Sequence, residues 1–174
     1  MRDKGFNFFG HDEYCANIFS KPFEPVPGTK AAAICAFEVL EHVMNPIEFL
    51  AGQMKKYQTE TVIASTTVFE GKMPDFTWPY YSFESGQHVT IYQPRSLQLI
   101  ARALDCRYFR LMEDLHLITK HNLAPWKLFV LRNKLKLNAL KTRFARRNRS
   151  YTLSDYESLR NRIATQGPAG LPHE

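Results

Sequence analysis

The chain has 174 residues, 44% of them hydrophobic and 13% aromatic, which is enough for one packed domain with an appendage and excludes wholesale disorder. No run approaches the roughly 18 consecutive apolar residues of a membrane span, and Met1-Arg2-Asp3-Lys4-Gly5 leads into aromatics rather than a signal-peptide core, so a cytoplasmic location is expected. The formal charge of +6 is uneven: from Lys127 to Arg162, eleven Lys and Arg face only Asp155 and Glu157, which leaves the remainder slightly acidic.

In chain order, Gly5-Phe6-Asn7-Phe8-Phe9-Gly10-His11-Asp12 is an aromatic run closed by a Gly-x-Asp turn and reads as a short buried strand. A proline-rich loop with Pro22, Pro25 and Pro27 follows. Ala31 to Phe37 is continuously apolar and short, as in a strand covered on both faces of a parallel sheet. Asn45-Pro46-Ile47-Glu48 then starts a helix: Asn caps, Pro fits the first helical position, and Glu can bond back. Ile47, Leu50, Met54 and Tyr57 mark its apolar face.

Thr61 to Val68 is rich in β-branched residues and predicts a second buried strand. The connection from Phe69 to Gln93 is long for a compact domain, and such loops usually bind or cover something. Pro94 to Leu104 returns to helical spacing through Leu97, Ile100 and Leu104. Arg107–Met112 and Leu115–Lys120 flank Glu113-Asp114 as an antiparallel pair. Strands alternating with helices predict a mostly parallel α/β sheet with one antiparallel strand. Ligands of such sheets lie beyond the carboxyl ends of the strands, which puts Asp12, the Phe37-Glu38 turn with Glu41, and the loop after Val68 on one rim. Cys15, Cys35 and Cys106 are far apart and lack the spacing of a zinc site, so they read as core thiols, and no metal ligand is assigned.

Two stretches are distinctive: Phe37-Glu38-Val39-Leu40-Glu41-His42-Val43-Met44-Asn45-Pro46, and Trp78-Pro79-Tyr80-Tyr81-Ser82-Phe83-Glu84-Ser85-Gly86-Gln87-His88-Val89-Thr90-Ile91-Tyr92. In this order, separated by a strand, they resemble the class I S-adenosylmethionine-dependent methyltransferases, in a branch with an F-E-V-L-E-H-V signature and an E-x-G-Q-H-V loop. The resemblance covers residues 5 to 121 and implies a Rossmann-like fold with S-adenosylmethionine as cofactor. It implies Asp12 as the ribose ligand, a carboxylate having lone pairs for both hydroxyls, and places Phe37 and Glu38 along the methionine part. Glu41 and His42 either share that site or fix the turn into the next helix, near whose positive end a carboxylate is welcome. His88 is the catalytic candidate, a base for a hydroxyl nucleophile or else a residue that shapes the loop. Tyr81, Glu84, Gln87 and Tyr92 are the substrate-binding candidates, the tyrosines as pocket walls. His116 and His121 read as structural.

The family's glycine-rich D-x-G-x-G-x-G loop has no counterpart among Gly5, Gly10 and Gly28. The expectation is therefore an N-terminally truncated fold without its first strand, with exposed strand edges and impaired cofactor binding. A methyltransferase-like domain is expected over 1–124, a basic helical extension over 125–163, and a disordered tail over 164–174. The acceptor is expected to be a small molecule or a glycan related to surface polysaccharide. A non-catalytic partner module derived from the fold is the alternative. The basic extension reads as a helix with a solvated cationic face, as a peripheral contact with an anionic membrane, or, more weakly, as a nucleic-acid contact through Arg146-Arg147-Asn148-Arg149. Oligomeric state is not legible.

Overall fold

The computed structural model describes residues 1–12 and 23–138, with Ser154, Glu157 and Asn161. The chain divides into two compact units, Met1–Pro27 with Lys141–Glu174, and Gly28–Leu140.

The second unit holds a four-stranded sheet in the order β1-β2-β4-β3, built from β1 (Ile34–Phe37), β2 (Thr61–Ser65), β3 (Arg107–Arg110) and β4 (Leu115–Thr119). β1 pairs with β2 in parallel, Ile34 opposite Val62 and Phe37 opposite Ser65. β4 pairs antiparallel with both β2 and β3. Three strands therefore run one way and β4 runs against them, the mixed sheet of a Rossmann-like α/β fold.

Helix α1 (Pro46–Lys56) makes the parallel crossover, and α2 (Pro94–Ala103) precedes β3. Asn45 caps α1 as its sequence predicts, its Oδ1 accepting from Glu48 N at 3.3 Å. Glu48 returns a contact to the Asn45 side-chain amide at 3.0 Å rather than to its backbone, so the two residues cap reciprocally through side chains. Leu50 and Met54 are buried, while Ile47 at the first turn is 41% exposed and does not join the core face. Leu50, Met54, Leu97, Ile100 and Ala101 pack on Ala36, Val62, Ala64 and Ile118 of the sheet. The partners Val62 and Ile118 confirm that these sheet residues share one face. On the other face Cys35 and Ile63 are half-buried.

Helix α3 (Pro125–Asn138) follows the sheet. Its Arg132 donates to the Arg110 carbonyl through Nε at 3.0 Å and Nη2 at 2.6 Å, and Arg110 in turn pairs with Glu70. The remaining basic positions from Lys141 to Arg149, and the tail 164–174, lie outside the described residues. Among the described residues no helix is long and apolar enough to cross a membrane.

The strand expected at Phe6–Phe9 is not formed. Residues 6–12 are irregular, Phe6 and Phe9 are exposed, and the Phe8 carbonyl accepts from Arg2 Nη1 at 3.2 Å instead of from a neighbouring strand. Phe9 of that run and Phe23 instead meet a cation: the Arg2 guanidinium lies 4.2 Å from the Phe23 ring centroid and 5.8 Å from that of Phe9.

Candidate functional site

β1 ends at Phe37, and the chain must turn at once. Glu38 adopts a left-handed conformation, φ +50°, which a non-glycine residue holds only at a cost. Its amide bonds Ser65 O at 3.0 Å, and Ser65 Oγ donates to Glu38 Oε1 at 2.6 Å, so the ends of β1 and β2 fix this turn. Phe37, at 46% exposure, and the exposed Glu38 carboxylate thus stand at the carboxyl end of the parallel pair. A single 3-10 turn, Leu40–His42, follows and drives the Glu41 side chain inward to full burial.

The long loop after β2 folds back over that turn. Val89 N and Thr90 N both donate to the Glu41 carbonyl, at 2.8 and 3.1 Å, and Tyr92 Oη donates to Leu40 O at 3.0 Å. Tyr80 reaches the Glu41 carboxylate: its hydroxyl donates to Oε1 at 3.0 Å and accepts from Thr67 N at 3.0 Å. The other carboxylate oxygen, Oε2, is buried and has no hydrogen-bond partner.

Two histidines stand beside this carboxylate. His42 Nδ1 donates to the Gln87 carbonyl at 2.9 Å, and His88 Nδ1 donates to the Tyr80 carbonyl. A carbonyl can only accept, so each ring carries a proton on Nδ1, and in the neutral tautomer this leaves the lone pair on Nε2. The rings meet edge to face, with centroids 4.9 Å apart. One donor atom each from Glu41, His42 and His88 lies within 4.8 Å of the others. His42 is exposed and His88 half-buried, so the cluster has a buried floor and a solvent-facing side.

Burial raises the Tyr80 phenol above its ordinary value, the Glu41 charge adding to the effect against bonds from Thr66 and Thr67, so Tyr80 remains protonated as a donor. Burial likewise pushes Tyr92 up to about 12. A second buried chain supports the loop from behind: Tyr108 Oη bonds His116 Nδ1 at 3.0 Å, and His116 Nε2 donates to Thr66 O at 3.1 Å. His116 is fully buried, and desolvation, its largest influence, lowers it from the usual 6.5.

Of the site residues expected from sequence, Phe37, Glu38 and His88 lie at the carboxyl ends of β1 and β2 or on the loop beyond them. Tyr81 is buried, with its hydroxyl donated to Pro74 O at 2.9 Å, and its ring stacks on Phe83 at 5.1 Å. Tyr92 is 2% exposed, held to Leu40. Gln87 contributes its backbone carbonyl to His42, and Glu84 is exposed. Asp12 belongs to the first unit. Sequence reasoning took Tyr80 as a pocket wall and Glu41 as a rim or turn residue, and missed the bond between the Tyr80 hydroxyl and the Glu41 carboxylate. The available signal was the second histidine, His88, ten residues after Trp78 and seven after Tyr81 on the same loop.

Sheet order, strand direction and a polar cluster at the carboxyl ends of a parallel pair together define an α/β enzyme fold of the Rossmann-like methyltransferase type. The profile of a family described as "Methyltransferase domain" matches residues 1–111, and the chain belongs to that family. No curated protein and no solved structure matches it.

Proposed function

We propose that the chain is an S-adenosylmethionine-dependent methyltransferase of the F-E-V-L-E-H-V branch that methylates a hydroxyl of a small or glycan-linked acceptor. Family membership over 1–111 is the observation that carries this reading. The residues at the end of β1 fit the cofactor: the exposed Phe37 ring offers an apolar contact for a methionine chain, and the exposed Glu38 carboxylate suits its ammonium.

When bound, the cofactor supplies a methyl group on a positively charged sulfur. This chain's contribution is to orient the acceptor oxygen and take its proton. His88 suits that task, because its Nδ1–H is fixed on the Tyr80 carbonyl, which in the neutral ring leaves Nε2 as the atom to take a proton. The exposed rings of Phe76 and Phe83, beside Tyr81, offer an apolar platform of the kind on which sugar rings stack, which favours a glycan acceptor. Calorimetric titration with S-adenosylmethionine and its demethylated product tests the proposal, on this chain and on one carrying an upstream strand and D-x-G-x-G-x-G loop in frame. Heat from either supports an enzyme. Silence from both, with folded protein, leaves the alternative of a non-catalytic partner module.

A further inference from the structure

The feature of this site that methyl transfer does not require is the orphaned oxygen of Glu41. A carboxylate at full burial, with Oε1 held by Tyr80 and Oε2 facing no donor, is costly unless something cationic completes it. Beside it stand two imidazoles whose Nδ1 protons are both committed to backbone carbonyls. That arrangement fixes the tautomer and ring orientation with Nε2 as the open donor, as second-shell carbonyls do for metal-bound histidine.

We infer that Glu41, His42 and His88 form a binding site for a divalent transition-metal cation, with Glu41 Oε2 and the two Nε2 atoms as ligands and a further position open to solvent. Two imidazoles and one carboxylate match cations that accept nitrogen donors, zinc, cobalt or iron, rather than magnesium or calcium. Tyr80 holds the carboxylate in a one-oxygen binding mode, and the carbonyls of Gln87 and Tyr80 aim the rings. Ligand bonds of about 2.0–2.2 Å require donor atoms roughly 3.4 Å apart in a tetrahedral site. One donor atom of each of the three residues already lies within 4.8 Å of the others, and the exposed ring of His42 can close the remaining distance without disturbing the core. The open position faces the exposed side of the cluster, where an acceptor hydroxyl would arrive. In a cation-loaded protein His88 would serve as a ligand instead of as the base, and the cation would supply Lewis acidity to an oxygen held at the open position. The site goes beyond the methyltransferase reading, because it binds its cation with or without S-adenosylmethionine.

The test is cation binding by the full chain, stripped with a chelator and titrated with cobalt(II) and zinc(II) by calorimetry and by the visible bands of bound cobalt. One cation per chain is expected. Glu41→Gln, His42→Ala and His88→Ala should each weaken binding by at least about tenfold, while His121→Ala and replacement of the cysteines by serine leave it unchanged. His42 is exposed, so its variant reports on the site even where Glu41→Gln does not fold. Folded wild-type protein that takes up neither cation overturns the proposal, as does binding that survives the His42→Ala/His88→Ala pair or magnesium affinity equal to that for zinc. Cation binding without cofactor heat leaves this site standing while the enzyme reading fails, and the reverse result separates them the other way.

Discussion

Tyr80 Oη stands 3.0 Å from Glu41 Oε1 and joins the loop after β2 to the turn after β1 across 39 residues of sequence. The phenol also accepts from Thr67 N and bonds Thr66 Oγ1, each at 3.0 Å. Tyr80→Phe keeps the ring but strips a fully buried carboxylate of its remaining partner. The expected cost is about 1–3 kcal/mol, seen as a midpoint of thermal unfolding lower by roughly 2–4 °C for each kcal/mol. An unchanged midpoint would show that Glu41 is satisfied by other means.

His116 gives a pH dependence with a defined sign. Burial, and less so the charge of Arg110, lower it from 6.5, against the Thr66 carbonyl and Asp114. Between that lowered value and 6.5 the unfolded chain binds more protons than the folded one. The stabilisation is therefore complete above 6.5 and declines as pH falls through that window. Urea midpoints measured from about pH 7.5 to about pH 5 should fall for the wild type. His116→Gln should be less stable at neutral pH yet lose this component of the slope, and an identical slope would assign it to other groups.

Asn45→Ala removes the acceptor for Glu48 N and the partner of its carboxylate. About 1 kcal/mol of stability should go with it, measured by denaturant unfolding. Cation affinity should be retained, because the cap lies on the helix rather than in the Glu41 cluster.

Leu50→Ala opens a cavity where α1 meets the sheet, at a residue with no exposure. The expected loss is about 2–5 kcal/mol. The equivalent change at Ile47, which is 41% exposed, should cost under about 1 kcal/mol, since little apolar area there leaves water.

The same contrast between local and distant causes decides what the sequence makes legible. Asn45-Pro46-Ile47-Glu48 announces α1 because its capping chemistry is complete within four residues. β2, β3, β4 and α2 follow from local periodicity and branching. Phe6–Phe9 has the composition of a strand but lacks a paired backbone, and pairing is a property of the neighbour rather than of the run. Glu41 and His42 could be placed near the rim from their position after β1. Their conversion into one cluster with His88 depends on a loop that begins nearly thirty residues later and desolvates Glu41 by folding over it. No window of sequence contains both halves of that contact.

Glu38 joins strain to the proposed cofactor site and separates stability from binding. Its φ of +50° disfavours any side chain, and glycine would relieve about 1 kcal/mol. The same change removes the acceptor of the Ser65 hydroxyl, worth a similar amount. Glu38→Gly should thus leave the unfolding free energy within about 1 kcal/mol of wild type. Because it deletes the carboxylate proposed to meet the cofactor's ammonium, it should weaken S-adenosylmethionine at least about tenfold in a cofactor-binding form of the chain. Stability lost without loss of affinity would make the strained turn a purely structural device. The expected result, affinity lost at constant stability, would explain why a glutamate rather than a glycine occupies a left-handed position at the end of β1.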